Sequence, residues 1–278
     1  MNSFPTIRQC RGAALLRPIL ANLLVLLFFL GACNARAQSL RIAAASDLQF
    51  ALADLAAQYE KQSSAKLAIT YGSSGNFFAQ IQNGAPFDLF FSADIAYPQK
   101  LIDVGFAESD SRTTYAFGRI VLWLPPESPL NPAQLQWNTL LDARIQKIAI
   151  ANPDHAPYGR AAVAALHKAG VYEQVKSKLV YGENISQAAQ FVESGSAQAG
   201  ILAMSLTFAP VMKSGKTWEI PRELYPPLEQ AVVLLKSSSN KPAARAFLAF
   251  LQSESARATL ARYGFSLPAV SGLREARP

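Results

Sequence analysis

Four short segments of the chain place hydroxyls, an amide or free backbone N–H groups at the point where a strand hands over to a helix. They are Ser46-Asp47, Ser73-Ser74 within "TYGSSGNFFAQ", Ala156-Pro157-Tyr158 and Asn184-Ile185. The first turn of a helix carries unpaired N–H donors and a partial positive charge. Several such turns converging on one point make an anion site without any lysine or arginine. In an open parallel sheet, ligands bind outside the carboxyl ends of the strands, where all four segments fall. The "GSSG" turn is not a phosphate loop, because Asn76, Phe77 and Phe78 follow Gly75 and no lysine does. It also lacks the base of an enzyme and the carboxylates, histidines or thiolates of a metal site.

Each residue also has a plainer reading. Ser46 and Asp47 taken alone are helix caps, Ser73 and Ser74 an ordinary turn, and Tyr158 a packed aromatic with a bonded hydroxyl. The fourfold repetition at strand ends separates the two readings. His155 and His167 read as surface or packing residues. Phe77, Phe78, Phe87, Phe90 and Phe91 read as core, and Asp88 and Asp94 as loop and capping groups rather than a catalytic pair. An exported serine hydrolase, with Ser74 as nucleophile and His155 as base, is the alternative from another class. Against it, "YGSSGN" is not the G-x-S-x-G elbow.

The elements that must position these turns follow from periodicity. "LRIAAAS" reads as a buried strand, and Leu48, Leu52, Leu55 and Tyr59 recur at helical spacing behind it. "AKLAITYG", "SGNFFAQIQNG" and "FDLFFSA" continue the succession as strand, helix and strand, which predicts a parallel sheet with right-handed crossovers. "RIVLWLP" and "KIAIANP" are later strands, the second feeding a helix from Gly159 to Ala169. "KLVYGEN" precedes the helix "ISQAAQFVESGS" and the short strand "AGILAMS". "QAVVLLKSS" is a strand, and "PAARAFLAFLQSESARATLARYG" a long helical pattern with a break near Glu254. Pro125, Pro126, Pro129 and Pro132 mark a loop.

Residues 1–37 read as an export leader: Arg8, Arg11 and Arg17 lead into the uncharged run Ile19 to Ala32, and Ala35-Arg36-Ala37 offers a cleavage point. "LGAC" ending at Cys33 offers lipidation as the other route. Cys10 and Cys33 are the only cysteines, so a chain beginning at Gln38 has no disulfide and no thiolate site. Four of the seven excess positive charges belong to Arg8, Arg11, Arg17 and Arg36. The remaining basic residues are scattered, which argues against nucleic acid as a partner. About 240 residues can bury a large core as one domain or two.

The segments "AAASDL", "YGSSGNFFAQIQNGAPFDLFFSAD", "TYAFGRIVLWLP", "IANPDHAPYG", "GENISQAAQFVESGSAQAGILA" and "RYGF" together resemble the ModA family of periplasmic molybdate-binding proteins of ABC transporters. The resemblance spans nearly all of the chain after the leader. It implies an α/β fold of the two-lobe periplasmic binding protein type (type II), each lobe a mostly parallel sheet flanked by helices. The expected lobes are residues 38–118 with 231–278, and residues 119–230. It further implies a monomer in the periplasm that captures molybdate or tungstate, uses no cofactor and delivers the anion to a membrane permease, with no enzymatic activity. Sulfate or another small oxyanion is the alternative ligand. The family's anion contacts fall on Ser46, Ser74, Tyr158 and the backbone N–H of Ile185, with Asp47 beside the first hydroxyl. The metal atom of the oxyanion would touch no protein ligand.

This chain departs from the family in two places. Ala203 stands where many members carry a tyrosine ligand, so Tyr158 is expected to supply that donor, as in the branch with "APYG". Asp47 stands where that branch can carry an amide. A carboxylate aimed at a dianion would be repelled, so its side chain is expected to cap the helix start and leave only its N–H to the site.

Overall fold

A computed structural model describes residues 39–63 and 65–269 of the chain. The leader expected over 1–37, with its cleavage and lipidation points, lies outside the described residues. The first half of the fold runs β1 (Leu40–Ala45), a 3-10 turn (Ser46–Leu48), α1 (Gln49–Gln62), β2 (Leu67–Gly72), α2 (Ser74–Gln82), β3 (Leu89–Ser92), α3 (Ala96–Asp103) and β4 (Thr113–Gly118). The chain then enters a second sheet with β5 (Ile120–Leu124), two short helices α4 (Pro132–Leu135) and α5 (Asn138–Leu141), β6 (Ile148–Ala151) and α6 (Pro157–Lys168). It continues through α7 (Tyr172–Val175), β7 (Leu179–Gly182), α8 (Ile185–Glu193), β8 (Ala199–Ala203), a 3-10 turn (Met204–Phe208) and β9 (Lys216–Glu219). It returns to the first sheet with β10 (Leu228–Leu234) and ends in α9 (Lys241–Leu251) and α10 (Glu254–Arg262).

The sheets are ordered β2-β1-β3-β10-β4 and β7-β6-β8-β5-β9. Both are mixed. β1 pairs parallel with β2 and β3, and β6 parallel with β7 and β8. The strands on which the chain crosses between sheets run the other way: β10 is antiparallel to β3 and β4, and β5 is antiparallel to β8 and β9. The parallel part of each sheet is built by β-α-β crossovers, which carry successive helix N-termini to the same sheet edge.

The alternation along β1 divides the first lobe's core. Leu40, Ile42 and Ala44 face α1, α9 and α10 through Leu52, Leu55, Phe247 and Leu260, while Ala43 faces α2 and α3 through Phe77, Ile81 and Leu101. The second lobe buries β5, β6 and β8 among α6 and α8. With helices on both faces of each sheet, the central strands read as unbroken apolar runs. The carboxyl ends of β1, β2, β6 and β7 then lie on one cleft between the sheets.

Candidate functional site

All four segments singled out above start a helix on this cleft. Ser46 opens the 3-10 turn after β1, Ser73 is the N-cap of α2, Ala156 the N-cap of α6 and Asn184 the N-cap of α8. One small cavity is lined by Ala45, Ser46, Asp47, Gly72, Ser73, Ser74, Ala156, Pro157, Tyr158 and Ile185. The five candidate residues Ser46, Asp47, Ser74, Tyr158 and Ile185 are thus brought together, each buried, from chain positions up to 139 residues apart.

Local chemistry leaves donors free at this point. The Ser74 hydroxyl accepts from the Ala93 N–H at 3.0 Å, so its own proton stays available. Ser46 Oγ accepts a long bond of 3.4 Å from the Ser186 N–H across the cleft. The Asn184 side chain caps α8 by accepting from Ser186 and Gln187 at 3.0 and 3.1 Å. The Ile185 N–H, one position earlier, has no intrahelical partner, as at any helix start. Pro157 fills the first turn of α6, where its missing N–H costs nothing.

Two glycines fit the backbone closely around Tyr158. A Cβ at Gly159 would lie 2.2 Å from the Ala151 carbonyl oxygen, so the glycine lets α6 pack on the end of β6. A Cβ at Gly118 would lie 2.3 Å from the Tyr158 hydroxyl oxygen.

Asp47 differs from expectation. Its side chain makes no capping bond to the helix start. Instead its Oδ2 accepts from the Tyr158 hydroxyl at 2.9 Å and from Gln230 Nε2 at 2.6 Å. The same Gln230 amide donates to Tyr158 Oη at 3.0 Å, and Tyr115 donates to Gln230 Oε1 at 2.8 Å. The physical reason is geometric: the turn after β1 points Asp47 inward, where it is 1% exposed, and its partners come from α6 and β10. The other carboxyl oxygen, Oδ1, is buried without a partner. Burial pushes the Asp47 carboxyl up to about 7, against the lowering effect of the Gln230 and Tyr158 hydrogen bonds. Burial, followed by the adjacent Asp47 charge, holds the Tyr158 phenol well above its usual value, so it is a neutral donor.

Other contributors escaped the sequence reading. Gln230 sits in the apolar run "QAVVLL", and a bulge between Gln230 and Ala231 in the β10–β4 pairing accompanies its inward aim. A glutamine beginning such an apolar run is the signal the sequence offers, and the structure buries it wholly. Ser186 donates to the Ser46 carbonyl oxygen and to Gln49 Oε1, both at 3.0 Å. Ser205 donates to the Asp47 carbonyl oxygen at 2.7 Å. His155 Nδ1 lies 3.0 Å from the Ser73 hydroxyl, not from Ser74, and the His155 carbonyl accepts from the Gly75 N–H at 2.9 Å. The serine-hydrolase pairing of Ser74 with His155 is therefore not formed. Asp94 caps α3 through the Ala96 N–H and pairs with Arg160, and Asp88 accepts from the Arg41 N–H and Ser238. Ala203 is buried at the end of β8 and carries no donor side chain.

Two five-stranded α/β lobes, joined by crossing strands and closed over a cleft of helix N-termini, define a solute-binding protein. The chain belongs to the bacterial extracellular solute-binding protein family, matched over residues 40–266. It is 38% identical over 237 residues to the molybdate-binding protein ModA of Azotobacter vinelandii, covering 85% of this chain and 93% of that one. It is 37% identical over 213 residues to ModA of Rhodobacter capsulatus, covering 76% of this chain and 82% of that one. The solved structure of the Azotobacter vinelandii periplasmic molybdate-binding protein superposes with a TM-score of 0.78 at 35% identity, covering 82% of this chain and 99% of that one.

Proposed function

We propose that this protein captures molybdate or tungstate in the cleft through Ser46, Asp47, Ser74, Tyr158 and Ile185, and hands it to the membrane permease of an ABC importer. The observation that carries this reading is the set of neutral donors converging from both lobes on one buried cavity, without a lysine or arginine lining it. Hydrogen bonds to a charged acceptor contribute about 1.5–3 kcal/mol each, so a handful suffices for capture while no fixed cation opposes release. In this reading the chain acts outside the cytoplasm as a monomer. The similarity to molybdate-binding proteins over most of the chain supports molybdate above other oxyanions.

The test is thermal unfolding of the protein lacking residues 1–37. A ligand that binds the native state alone stabilises it by about 2.7 kcal/mol at one hundred times its Kd. Molybdate and tungstate should each raise the melting temperature by several degrees, and sulfate and phosphate at equal concentration should not. An equal rise with sulfate would reassign the substrate, and labelling of Ser74 by a fluorophosphonate probe would replace transport with hydrolysis.

A further inference from the structure

Asp47 poses a chemical problem that the binding reading does not solve. A carboxylate lines a cavity proposed to receive a dianion, and among the described residues no arginine, lysine or histidine is hydrogen-bonded to it. Its Oδ2 is occupied by two donors, while its Oδ1 is buried with no partner. An ionised carboxylate would leave that oxygen unpaired in an apolar setting, beside the incoming anion. A carboxylic acid places its proton on the free oxygen and becomes a donor with the shape of an amide.

We propose that Asp47 serves the anion cavity as a neutral carboxylic acid whose Oδ1 proton belongs to the anion's donor set, so that each anion captured above neutral pH is accompanied by one proton. This rests on the reading of the cleft as an oxyanion site. The bonds balance simply: a solvent proton adds to Oδ1, no covalent bond of the anion changes, and release returns the proton.

Protonation also acts through Tyr158, whose single hydroxyl proton is directed to Asp47 Oδ2 at 2.9 Å. An ionised Asp47 holds that proton strongly. A neutral Asp47 is a weaker acceptor, and the hydroxyl is then free to turn to the anion while Gln230 keeps Oδ2 paired at 2.6 Å. The two lost donors, Oδ1–H and Tyr158 O–H, thus return together. Burial, which pushes the Asp47 carboxyl up to about 7 without an anion, puts the transition in an accessible range.

The neighbouring ionisable groups do not supply the same linkage. Tyr158 on α6 and Tyr115 on β4 are held well above their usual values by burial first, and Tyr71 on β2 is raised to about 12. Tyr225, beyond Tyr158, is also raised by burial. On α1, Asp54 pairs with Arg262, and Glu60 and Lys61 lie at the far end. On α8 the ionisable residue is Glu193, its last residue, and the 3-10 turn after β8 presents Ser205. At the rim, Asp94 pairs with Arg160, and His155 lies between Ser73 and Glu183. His155 is the group to control for.

The experiment is titration calorimetry of the leaderless protein with sodium molybdate, in buffers of differing ionisation enthalpy. At about pH 8.5 the enthalpy should vary with buffer with a slope near one proton taken up per anion, and near about pH 6 the slope should approach zero. Affinity should fall about tenfold per pH unit above neutrality. Asp47→Asn should remove the slope and bind molybdate about tenfold or more tightly than the parent at about pH 8.5. Molybdate binding with no proton uptake by the parent at the higher pH overturns the inference, and this arm needs no variant to fold. Uptake that persists in Asp47→Asn and vanishes in His155→Gln overturns it in favour of the histidine. Absence of molybdate binding at every pH would instead overturn the oxyanion reading and this inference with it.

Discussion

Ser74 and Ser46 occupy equivalent places at strand ends, yet their surroundings assign them different costs. Ser74 Oγ accepts from the Ala93 N–H at 3.0 Å inside the first lobe, whereas Ser46 Oγ has only the 3.4 Å contact to Ser186 N across the cleft. Both alanine variants should weaken molybdate binding by about 1.5–3 kcal/mol, because each loses a bond to a charged oxygen. Ser74→Ala should also destabilise the free protein by about 1–3 kcal/mol by orphaning a buried N–H, while Ser46→Ala should not. Calorimetry and urea unfolding together separate the effects; equal losses of stability would mean that Ser46 too is structural. Asp47 adds a pH term with a definite sign. Its native value of about 7 lies above the ordinary 3.8, so its favourable contribution is complete below about pH 4 and is lost as pH rises through 7. Three units correspond to about 4 kcal/mol at most. Asp47→Asn should therefore melt above the parent at pH above 7, with the gap closing toward pH 4. A constant gap would mean that the carboxyl titrates normally. The placing of Ser46, Ser74 and Tyr158 at helix starts behind strands was legible from the turn pattern, while their part in anion capture rests on the proposed function. The role of Asp47 was not, because its partners Tyr158 and Gln230 lie 111 and 183 residues away.

At the scale of elements, the site is a set of helix starts held at fixed depth. Gly159 sets the depth of α6: its missing Cβ is what allows the helix to approach the Ala151 carbonyl. Gly159→Ala should cost about 1–3 kcal/mol of stability from overpacking, and should weaken molybdate binding by moving Tyr158. Gly118→Ala acts on the same hydroxyl from the crossing strand, so its effect on affinity should be nearly absent in a Tyr158→Phe background, as a double-mutant cycle reads. Additive effects would place the influence of Gly118 elsewhere. Most of these elements were visible as periodicity, since β1 to β3 and β6 to β8 alternate with amphipathic helices. The misses have local causes. α6 starts at Pro157 rather than Gly159, because the fixed φ and missing N–H of proline suit the first helical position. α3 is only eight residues long and carries Pro98 in its first turn, which leaves too short a run to show its period. β9, "KTWE", is a short edge strand with alternating exposure and little to mark it. The terminal helical pattern breaks as expected, with Ser253 capping α10 through the Ala256 N–H.

Over the whole molecule, the structure is a closed one in which the lobes touch around the cavity as well as within it. Arg160 meets Asp94 at 2.6 Å, Ser186 meets Ser46 and Gln49, His155 meets Ser73 and the Gly75 N–H, and Asn76 bonds Glu183. The β-α-β units were legible as periodicity and the two-lobe plan followed from the family resemblance, whereas these contacts join residues 66 to 140 positions apart and leave no local trace. Each is worth little by itself, since the Arg160–Asp94 pair is partly exposed and such pairs contribute about 0–1 kcal/mol. Their sum decides how far the free protein leans toward closure. A ligand shifts that balance only by binding the closed form better, and the apparent Kd rises as the closed fraction falls. Ser186→Ala and Arg160→Ala remove closure contacts without removing a residue assigned to the anion. Together they should raise the apparent Kd for molybdate about three- to thirtyfold, mainly through faster dissociation, as a shift of about 0.7–2 kcal/mol requires. Small-angle scattering should show the same molybdate-induced contraction in the double variant as in the parent, reached at proportionately higher anion concentration. Unchanged affinity with full contraction would mean that the bound anion, and not these lobe contacts, carries the closure energy.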